Sequence, residues 1–288
     1  MVAAKYQFQP MSETGIQVFN HNAMATQFQV RIAGEEKTYA AQTAQAAFAL
    51  VDELESKLSR FRANSEISQI AQLAPGDKLR LSEPVFACLR LAQKMEFATR
   101  GAFSVTASAL KNQPTKPLWA LVENEFSIRC DSGRLEFDLG AIGKGFALDR
   151  MAEVLHEWDC PKFLLVAGGS SILAGDAPTG TLGWDCGLGE NNSSRRHWLA
   201  NGSLSGSGLA VKGEHIFDPR TGLASSRRNR AWALTTSAAE SDALSTACMI
   251  LDETEILDVL KRNNDWLVFL NEKEEWRQLG QRPVPPLI

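Results

Sequence analysis

The stretch DLGAIGKGFALDR, Asp138 to Arg150, places three glycines and a lysine within six residues, between an apolar run and an amphipathic segment. The apolar residues that follow the glycines recur at helical spacing, which predicts a turn that leads into a helix. Backbone N–H groups at a helix start, with Lys144 beside them, suit an anion. A phosphate-binding turn and a tight turn without any ligand both fit this segment when it is taken alone.

The spacing of these glycines excludes the common nucleotide-binding loops. The dinucleotide fingerprint GxGxxG is absent, and a P-loop needs four residues between its first glycine and GK[ST]. Here Gly140 stands two residues before Gly143-Lys144, and Phe146 follows Gly145. A kinase-type P-loop is therefore ruled out.

The composition is that of a folded protein with its own core. The chain has 288 residues, of which 44% are apolar, and 30 basic against 34 acidic residues give a formal charge of -4. No basic stripe follows one face, so we do not expect nucleic acid as a partner. The length alone allows one large domain or two small ones.

Cysteine spacing and hydropathy indicate which metal, disulfide and membrane-spanning features to expect. The five cysteines are scattered without a CxxC pair, which favours buried free thiols over a zinc site or a disulfide framework. No run approaches the roughly 20 apolar residues that span a bilayer. The N-terminus lacks the apolar core of a signal peptide. We therefore expect a cytoplasmic chain, or an exported one whose signal has been removed.

A coarse reading of periodicity predicts mixed helices and strands. ATQFQVRIAG alternates like a half-buried strand, and residues 35–61 and 84–99 read as helices. Further strands are predicted in LEFDL, KFLLVAGGSSILAG, GWDCGLG, AWALTTSAA and DWLVFLNEKEEWRQLG. Long helices inserted between strands indicate an α+β fold rather than regular βαβ winding.

The segment AAESDALSTACMIL carries a candidate metal site. Asp242 and Thr246 are four residues apart and share a face if the segment is helical, with Ser245 beside them. Hard oxygen ligands of this kind suit Mg²⁺. The alternative is that Ser241 caps the helix and Asp242 only complements its dipole.

Three more segments admit a functional and a structural interpretation. In GEHIFDPRTG, His215 is a possible proton acceptor or a structural hydrogen-bonder beside a Pro-Gly turn. In LSRFRANSEIS, Phe61 is either core or an aromatic lid over a ring-shaped ligand, and Asn64 or Ser65 can cap a new helix. The serine-rich NGSLSGSGLA fits a ligand-wrapping loop or an ordinary loop, and no GxSxG elbow supports a hydrolase.

Taken in order, these segments resemble the FAD:protein FMN transferase family, also called ApbE. The resemblance rests on MATQF, LSRFRANSEIS, GAFSVT, DLGAIGKGFALDR, AGGSSILAG, HIFDPRTG and SDALSTA. It implies one catalytic domain over residues 1–288, with the motif-bearing region at about 24–251. It also implies a T-fold-like α+β architecture of antiparallel or mixed sheets with long inserted helices. It also implies Mg²⁺-dependent transfer of FMN from FAD to a Thr or Ser hydroxyl of a target flavoprotein, through a phosphoester, with AMP leaving.

The resemblance also assigns roles to single positions. It implies metal ligation by Asp242, Ser245, Thr246 and a backbone carbonyl near Ala141, with Asp242 and His215 as the catalytic residues. His215 matches a histidine proposed to help deprotonate the acceptor hydroxyl. The positions that match flavin-nucleotide contacts are Met24, Phe61, Ala102, Phe103, Ser104, Asp138, Lys144 and His215.

Four positions depart from the family pattern. Ser104 and Ser170 stand where the family has aspartates, Ala25 replaces a glycine, and Ala71 replaces a common asparagine. The loss of two carboxylates predicts weaker hydrogen bonding to the cofactor without a change at the metal pair. Two other functions stay open on the sequence: hydrolysis of FAD to FMN and AMP, and FAD binding without catalysis.

Overall fold

The computed structural model describes residues 15–111, 115–188, 195–208, 217–223, 225, 227–272 and 275–281. The helices are α1 (Lys37–Leu58), α2 (Glu66–Ile70), α3 (Glu83–Ala98), α4 (Gly143–Glu157), α5 (Ala238–Cys248) and α6 (Glu253–Lys261). Short 3₁₀ turns lie at Ala107–Lys111 and Glu123–Glu125. The predicted helices at 35–61 and 84–99 are confirmed as α1 and α3, with shifted ends.

The strands are β1 (Ile16–Ala23), β2 (Thr26–Ala33), β3 (Lys78–Arg80), β4 (Leu118–Val122), β5 (Ser127–Ser132), β6 (Phe163–Ala167), β7 (Ser171–Ala174), β8 (Trp184–Leu188), β9 (Arg195–Leu199), β10 (Gly202–Gly208), β11 (Arg230–Thr235), β12 (Leu267–Glu272) and β13 (Glu275–Leu279). One antiparallel sheet has the order β1-β2-β6-β7-β10-β11-β12-β13. Smaller sheets join β3-β5-β4 and β8-β9. The predicted α+β class is confirmed.

Helix α1 shows why the long helices lie on this sheet. Its buried apolar residues recur every three or four positions and form a single stripe. The stripe consists of Ala40, Ala44, Ala47, Val51, Leu54 and Leu58. Before it, the Glu36 carboxylate accepts hydrogen bonds from the N–H groups of Thr38 and Tyr39, which satisfies two donors of the first turn.

The large sheet is covered on both faces at its centre. All five residues of β6 are buried. Phe163 and Leu165 belong to the main core shared with the helices, while Leu164 and Val166 pack in a second core with Trp184 of the β8–β9 hairpin. Burial on both faces explains why β6 is continuously apolar instead of alternating. The central strands are therefore rigid supports for the loops at their ends.

Two segment predictions are wrong. LEFDL is not a strand: residues 134–139 are extended without a sheet partner, and the Asp138 N–H donates to the carbonyl of Val105 at 2.7 Å. NGSLSGSGLA is not a loop, because Gly202–Gly208 forms β10 inside the large sheet. Its glycines and serines, which are typical of loops, misled the prediction although the serines alternate at the strand period.

Other expectations on the chain are confirmed. All five cysteines are free and buried, and burial raises the pKa of the Cys88 and Cys248 thiols to about 12. The predicted β12–β13 hairpin has antiparallel register. In the part of the chain that the structure describes, no helix combines the length and hydropathy needed to cross a bilayer.

Candidate functional site

The start of α4 and the second turn of α5 meet at the Asp242 carboxylate. Its Oδ2 accepts a hydrogen bond from the N–H of Gly145 at 2.8 Å, and its Oδ1 accepts one from the Ser171 hydroxyl at 2.6 Å. Lys144 Nζ lies 3.7 Å from Oδ2, and the Asp242 side chain is only 5% exposed. The positive end of α4 and one lysine thus neutralise a carboxylate of the protein itself.

Three hydroxyl groups gather on the same side of α5. Ser207 Oγ, from β10, lies 2.9 Å from Ser245 Oγ and 3.1 Å from Thr246 Oγ1. Ser245 and Thr246 also donate to the backbone carbonyl of Asp242, at 2.9 and 3.3 Å. We call Lys144, Gly145, Ser171, Asp242 and these three hydroxyl residues the floor of the site.

The interpretation of Ser241 as the helix cap is wrong. Helix α5 begins earlier, with Ser237 as its N-cap, and the Ser237 hydroxyl accepts from the Glu240 N–H. Ser241 is buried and hydrogen-bonds to Ser203 and Ser205 of β10 at 2.7 and 2.8 Å. Asp242 therefore lies beyond the first turn of α5, and its charge serves α4 instead.

The floor fits a hard divalent cation in the chemistry of its donors. A carboxylate has about four acceptor positions, and Asp242 uses one on each oxygen, so further positions remain for a ligand. One carboxylate with hydroxyl and carbonyl oxygens suits Mg²⁺, which keeps part of its water or takes phosphate oxygens. Among the described residues, no group of three or more His, Cys, Asp and Glu side chains is placed to hold a metal ion, so Asp242 is the one such side chain of this oxygen set. Ala141, the predicted carbonyl ligand, stands in the turn just before α4.

The predicted flavin contacts Phe61 and Asp138 lie at the edge of this turn. Asp138 Oδ1 accepts the Gly140 N–H at 2.9 Å, and its Oδ2 lies 3.3 Å from the Arg60 guanidinium. That guanidinium also lies 4.8 Å from the centre of the Phe61 ring. Phe61 is 84% exposed, so its interpretation as a core residue is wrong. An exposed ring held by a cation is a suitable platform for a planar ligand.

Met24 belongs to a second segment around the floor. Met24 and Ala25 form the two-residue β1–β2 turn with φ of 49° and 56°. The turn lies against the β6–β7 turn, where a Cβ on Gly168 would stand 2.5 Å from Thr26 Oγ1. Thr26, the first residue of β2, thus packs against the turn that leads into β7 and its first residue, Ser171. We call Met24, Ala25, Arg60, Phe61 and Asp138 the rim.

The GAFSVT segment is mostly buried at its start. Ala102 and Phe103, two of the predicted flavin contacts, are only 1% and 2% exposed as whole residues. The Ser104 hydroxyl lies 3.1 Å from both Glu96 Oε2 and Thr106 Oγ1. A carboxylate from α3 thus contacts the serine that replaces the family's aspartate.

The predicted turn in DPRTG is confirmed, whereas His215 lies outside the described residues. The Gly222 N–H donates to the Asp218 carbonyl at 2.8 Å. The Arg220 side chain bonds to the Asp218 carboxylate and holds the pKa of that carboxyl below its usual range. A Cβ on Gly101 would contact Arg220, so this turn lies beside GAFSVT.

Sequence reasoning missed several residues that complete the site. Ser171 and Ser207 hydrogen-bond to predicted ligands, and Arg60 joins the two predicted flavin contacts. The alternation of Ser203, Ser205 and Ser207 could have identified a strand face. Nothing local could have revealed Ser171, because its partner is distant in sequence.

Comparison with known proteins identifies the same family as the sequence motifs. The family model of the ApbE family matches residues 24–270. An FAD:protein FMN transferase of Klebsiella pneumoniae is 23% identical over 210 residues, which cover 61% of this chain and 64% of that relative. One of Haemophilus influenzae is 23% identical over 260 residues, covering 75% and 74%. The chain thus spans less than two thirds of the Klebsiella relative.

A solved structure shows the same fold. The flavin transferase ApbE from Vibrio cholerae superposes with a TM-score of 0.78 at 18% identity, over 92% of this chain and 97% of that one. Since the family model covers most of the chain and its motifs surround the floor described above, this protein belongs to the ApbE family.

Proposed function

We propose that this protein transfers FMN from FAD to a Thr or Ser hydroxyl of a target flavoprotein and releases AMP. The observation that carries the proposal is the floor, where hard oxygen donors on α5 meet the start of α4. Phosphoryl transfer depends mainly on positioning and on neutralising charge, and this arrangement offers both. The names of the two relatives support the reaction.

The rim is proposed to hold the flavin end of FAD. The exposed Phe61 ring offers a face for the isoalloxazine, and Arg60 keeps that ring beside Asp138. Met24, Ala102 and Phe103 are the other proposed contacts. Ser104 is neutral where the family has a carboxylate, and its contact with Glu96, which is ion-paired with Lys116, places another carboxylate close to the same position.

The floor is proposed to hold Mg²⁺ through Asp242, Ser245, Thr246 and the carbonyl of Ala141. When bound, the cation supplies charge neutralisation for the pyrophosphate oxygens. Lys144 is close enough to Asp242 to add its positive charge to the same region. The acceptor oxygen forms a bond to the FMN phosphorus, the P–O bond to AMP breaks, and His215 is the proposed acceptor of the hydroxyl proton.

Intact mass spectrometry with AMP quantification tests this function. The protein, FAD, Mg²⁺ and a flavoprotein with a Thr in its flavinylation motif are combined, and we expect the acceptor to gain one FMN phosphoryl group for each AMP released. Asp242→Asn should abolish the adduct, whereas Asp131→Asn, on β5 of the three-stranded sheet, should not.

Each other outcome identifies a rival function. Free FMN and AMP without an adduct on any acceptor would show an FAD hydrolase. Bound FAD with no AMP, unaffected by removal of the metal, would show a binding module.

A further inference from the structure

Helix α4 supplies the cap of helix α5. Asp149 Oδ1 accepts the N–H of Ala238 at 2.6 Å, and its Oδ2 accepts the N–H of Ala239 at 3.0 Å and the hydroxyl of Ser237 at 2.6 Å. The local cap residue Ser237 reaches only the Glu240 N–H, at 3.3 Å. Asp149 therefore satisfies the first two N–H groups of α5, on residues that are fully buried.

Each of the two helices supplies a carboxylate that accepts hydrogen bonds near the start of the other. While Asp149 of α4 binds the start of α5, Asp242 of α5 accepts the N–H of Gly145 near the start of α4. The two backbones touch between these contacts, because a Cβ on Gly145 would stand 2.1 Å from the carbonyl oxygen of Ala238. On α4, the residues that make these two contacts, Gly145 and Asp149, are thus about one helical turn apart, with closely packed backbone near them.

We infer that Asp149 is a positioning residue for the oxygen donors on α5. It contacts none of the proposed ligands, but it fixes the helix that carries Asp242, Ser245 and Thr246 against α4. Partners that orient the ligands of a metal affect its affinity nearly as much as the ligands do. This inference rests on the proposed function, since it takes the floor to bind a divalent cation.

The test uses isothermal titration calorimetry to measure the Mn²⁺ dissociation constant of the 288-residue protein with FAD present. Asp149→Asn keeps the size of the side chain, but its amide has one acceptor oxygen and its NH₂ group would face a donor of α5. We expect the Mn²⁺ dissociation constant to rise about 10-fold. Transferase activity of the variant should be restored by saturating Mn²⁺ under conditions in which urea unfolding shows the metal-free variant to be folded, so that the recovery does not come from ligand-induced folding.

Two variants control for stability. Asp252→Ala removes the carboxylate cap of α6, which carries none of the proposed ligands, and should leave the Mn²⁺ dissociation constant within about 2-fold of the wild type. Ser237→Ala removes one donor to Asp149 and keeps the carboxylate, so it should give a smaller rise, about 3-fold, and serves if Asp149→Asn does not fold.

The outcomes separate this inference from the proposed function. If Asp242→Asn abolishes Mn²⁺ binding while Asp149→Asn and Ser237→Ala bind like the wild type, the positioning role is overturned and the proposed function stands. If Asp252→Ala weakens binding as much as Asp149→Asn, the effect is general and the role is also overturned. If Asp242→Asn binds Mn²⁺ like the wild type, both fail.

Discussion

The floor and the rim of the site differ in what surrounds their charged groups. At the floor, the Asp242 side chain is 5% exposed and its oxygens accept an N–H and a hydroxyl of the protein. At the rim, Arg60 and Asp138 are 44% and 40% exposed, and Phe61 is almost fully open to solvent. Exposed pairs of this kind contribute little to stability, whereas buried hydrogen-bonded carboxylates are costly to disturb.

This difference indicates that the floor and the rim have separate roles. The floor is part of the fold, so its geometry is set before any ligand arrives, as electrostatic catalysis requires. The rim contributes little to the fold and keeps an open aromatic face for a ligand. Changes at the floor should therefore alter stability and chemistry together, whereas changes to the exposed Phe61 side chain of the rim should alter binding with little effect on stability.

The largest expected effect comes from Gly145→Ala at the floor. The added Cβ would meet three backbone atoms of Ala238 and Ala239 at 2.1 to 2.6 Å, and backbone cannot rotate away. We expect the free energy of unfolding to fall by about 3 kcal/mol or more, measured by urea denaturation.

Gly143→Ala in the same helix is the matched control. Its Cβ would meet Leu139 Cβ at 3.6 Å, an ordinary contact, so it should change the stability by less than about 1 kcal/mol. Equal losses in both variants would show that helix α4 is generally intolerant of alanine there and that the contact with α5 is not special.

The second effect is a pH dependence of the free energy of unfolding, caused by Asp149. Burial raises the pKa of this carboxyl to about 6, against the opposing effect of its hydrogen bonds to Ser237, Ala239 and Ala238, and the charge of Asp242 raises it further. The unfolded chain loses this proton near pH 4, so between pH 4 and 6 the folded state binds more protons and stability falls as pH rises. Asp149→Asn should lack this slope.

The measurement is urea unfolding of the wild type and Asp149→Asn at several pH values. The stability advantage of the wild type should shrink by on the order of 2 kcal/mol between pH 4 and pH 7. An advantage that grows with pH would mean that the hydrogen bonds outweigh burial and lower the pKa of Asp149.

The sequence allowed much of the fold to be predicted, since long elements such as α1 and α3 have apolar residues at helical spacing and Pro84 marks the start of α3. It failed at LEFDL and at NGSLSGSGLA for one reason. Leu135 and Phe137 alternate with polar residues like a strand but have no partner strand, whereas β10 has partners on both sides despite its glycines and serines. Sheet membership depends on distant segments, which local patterns do not contain.

The third effect is confined to binding at the rim. Phe61→Ala should weaken FAD affinity about 3- to 10-fold, the usual contribution of an aromatic contact, and leave stability within about 0.5 kcal/mol. Quenching of flavin fluorescence measures the affinity. Phe97→Ala, on α3, is the control because Phe97 is 83% exposed. Equal loss of affinity in both variants would contradict a specific role for Phe61.

The smallest effect is a gain in stability at Ala25. The left-handed backbone of the β1–β2 turn is strained for alanine, so Ala25→Gly should stabilise the protein by about 0.5 kcal/mol after the entropy cost of glycine. Ala23→Gly, in the adjoining strand β1, should destabilise it by a similar amount. Thermal unfolding compares the two, and a loss with Ala25→Gly would show that this turn carries no strain.

The site was predictable only where one motif contains both partners. Asp242, Ser245 and Thr246 could be grouped from helical spacing, and Gly145 belongs to the glycine-rich stretch that the sequence singles out. That Gly145 donates to Asp242, and that Asp149 caps α5, depends on two helices that are far apart in sequence. The sequence left undecided whether Phe61 is buried or exposed, because the identity of an apolar residue does not reveal its exposure.

The most direct test of the division between floor and rim is a crystal structure with FAD and Mn²⁺, using the anomalous signal of manganese. The account predicts one strong peak in contact with the Asp242 carboxylate and the Thr246 hydroxyl, next to the pyrophosphate, with the flavin ring on Phe61. A metal located elsewhere, or FAD bound with its pyrophosphate away from α4 and α5, would contradict it.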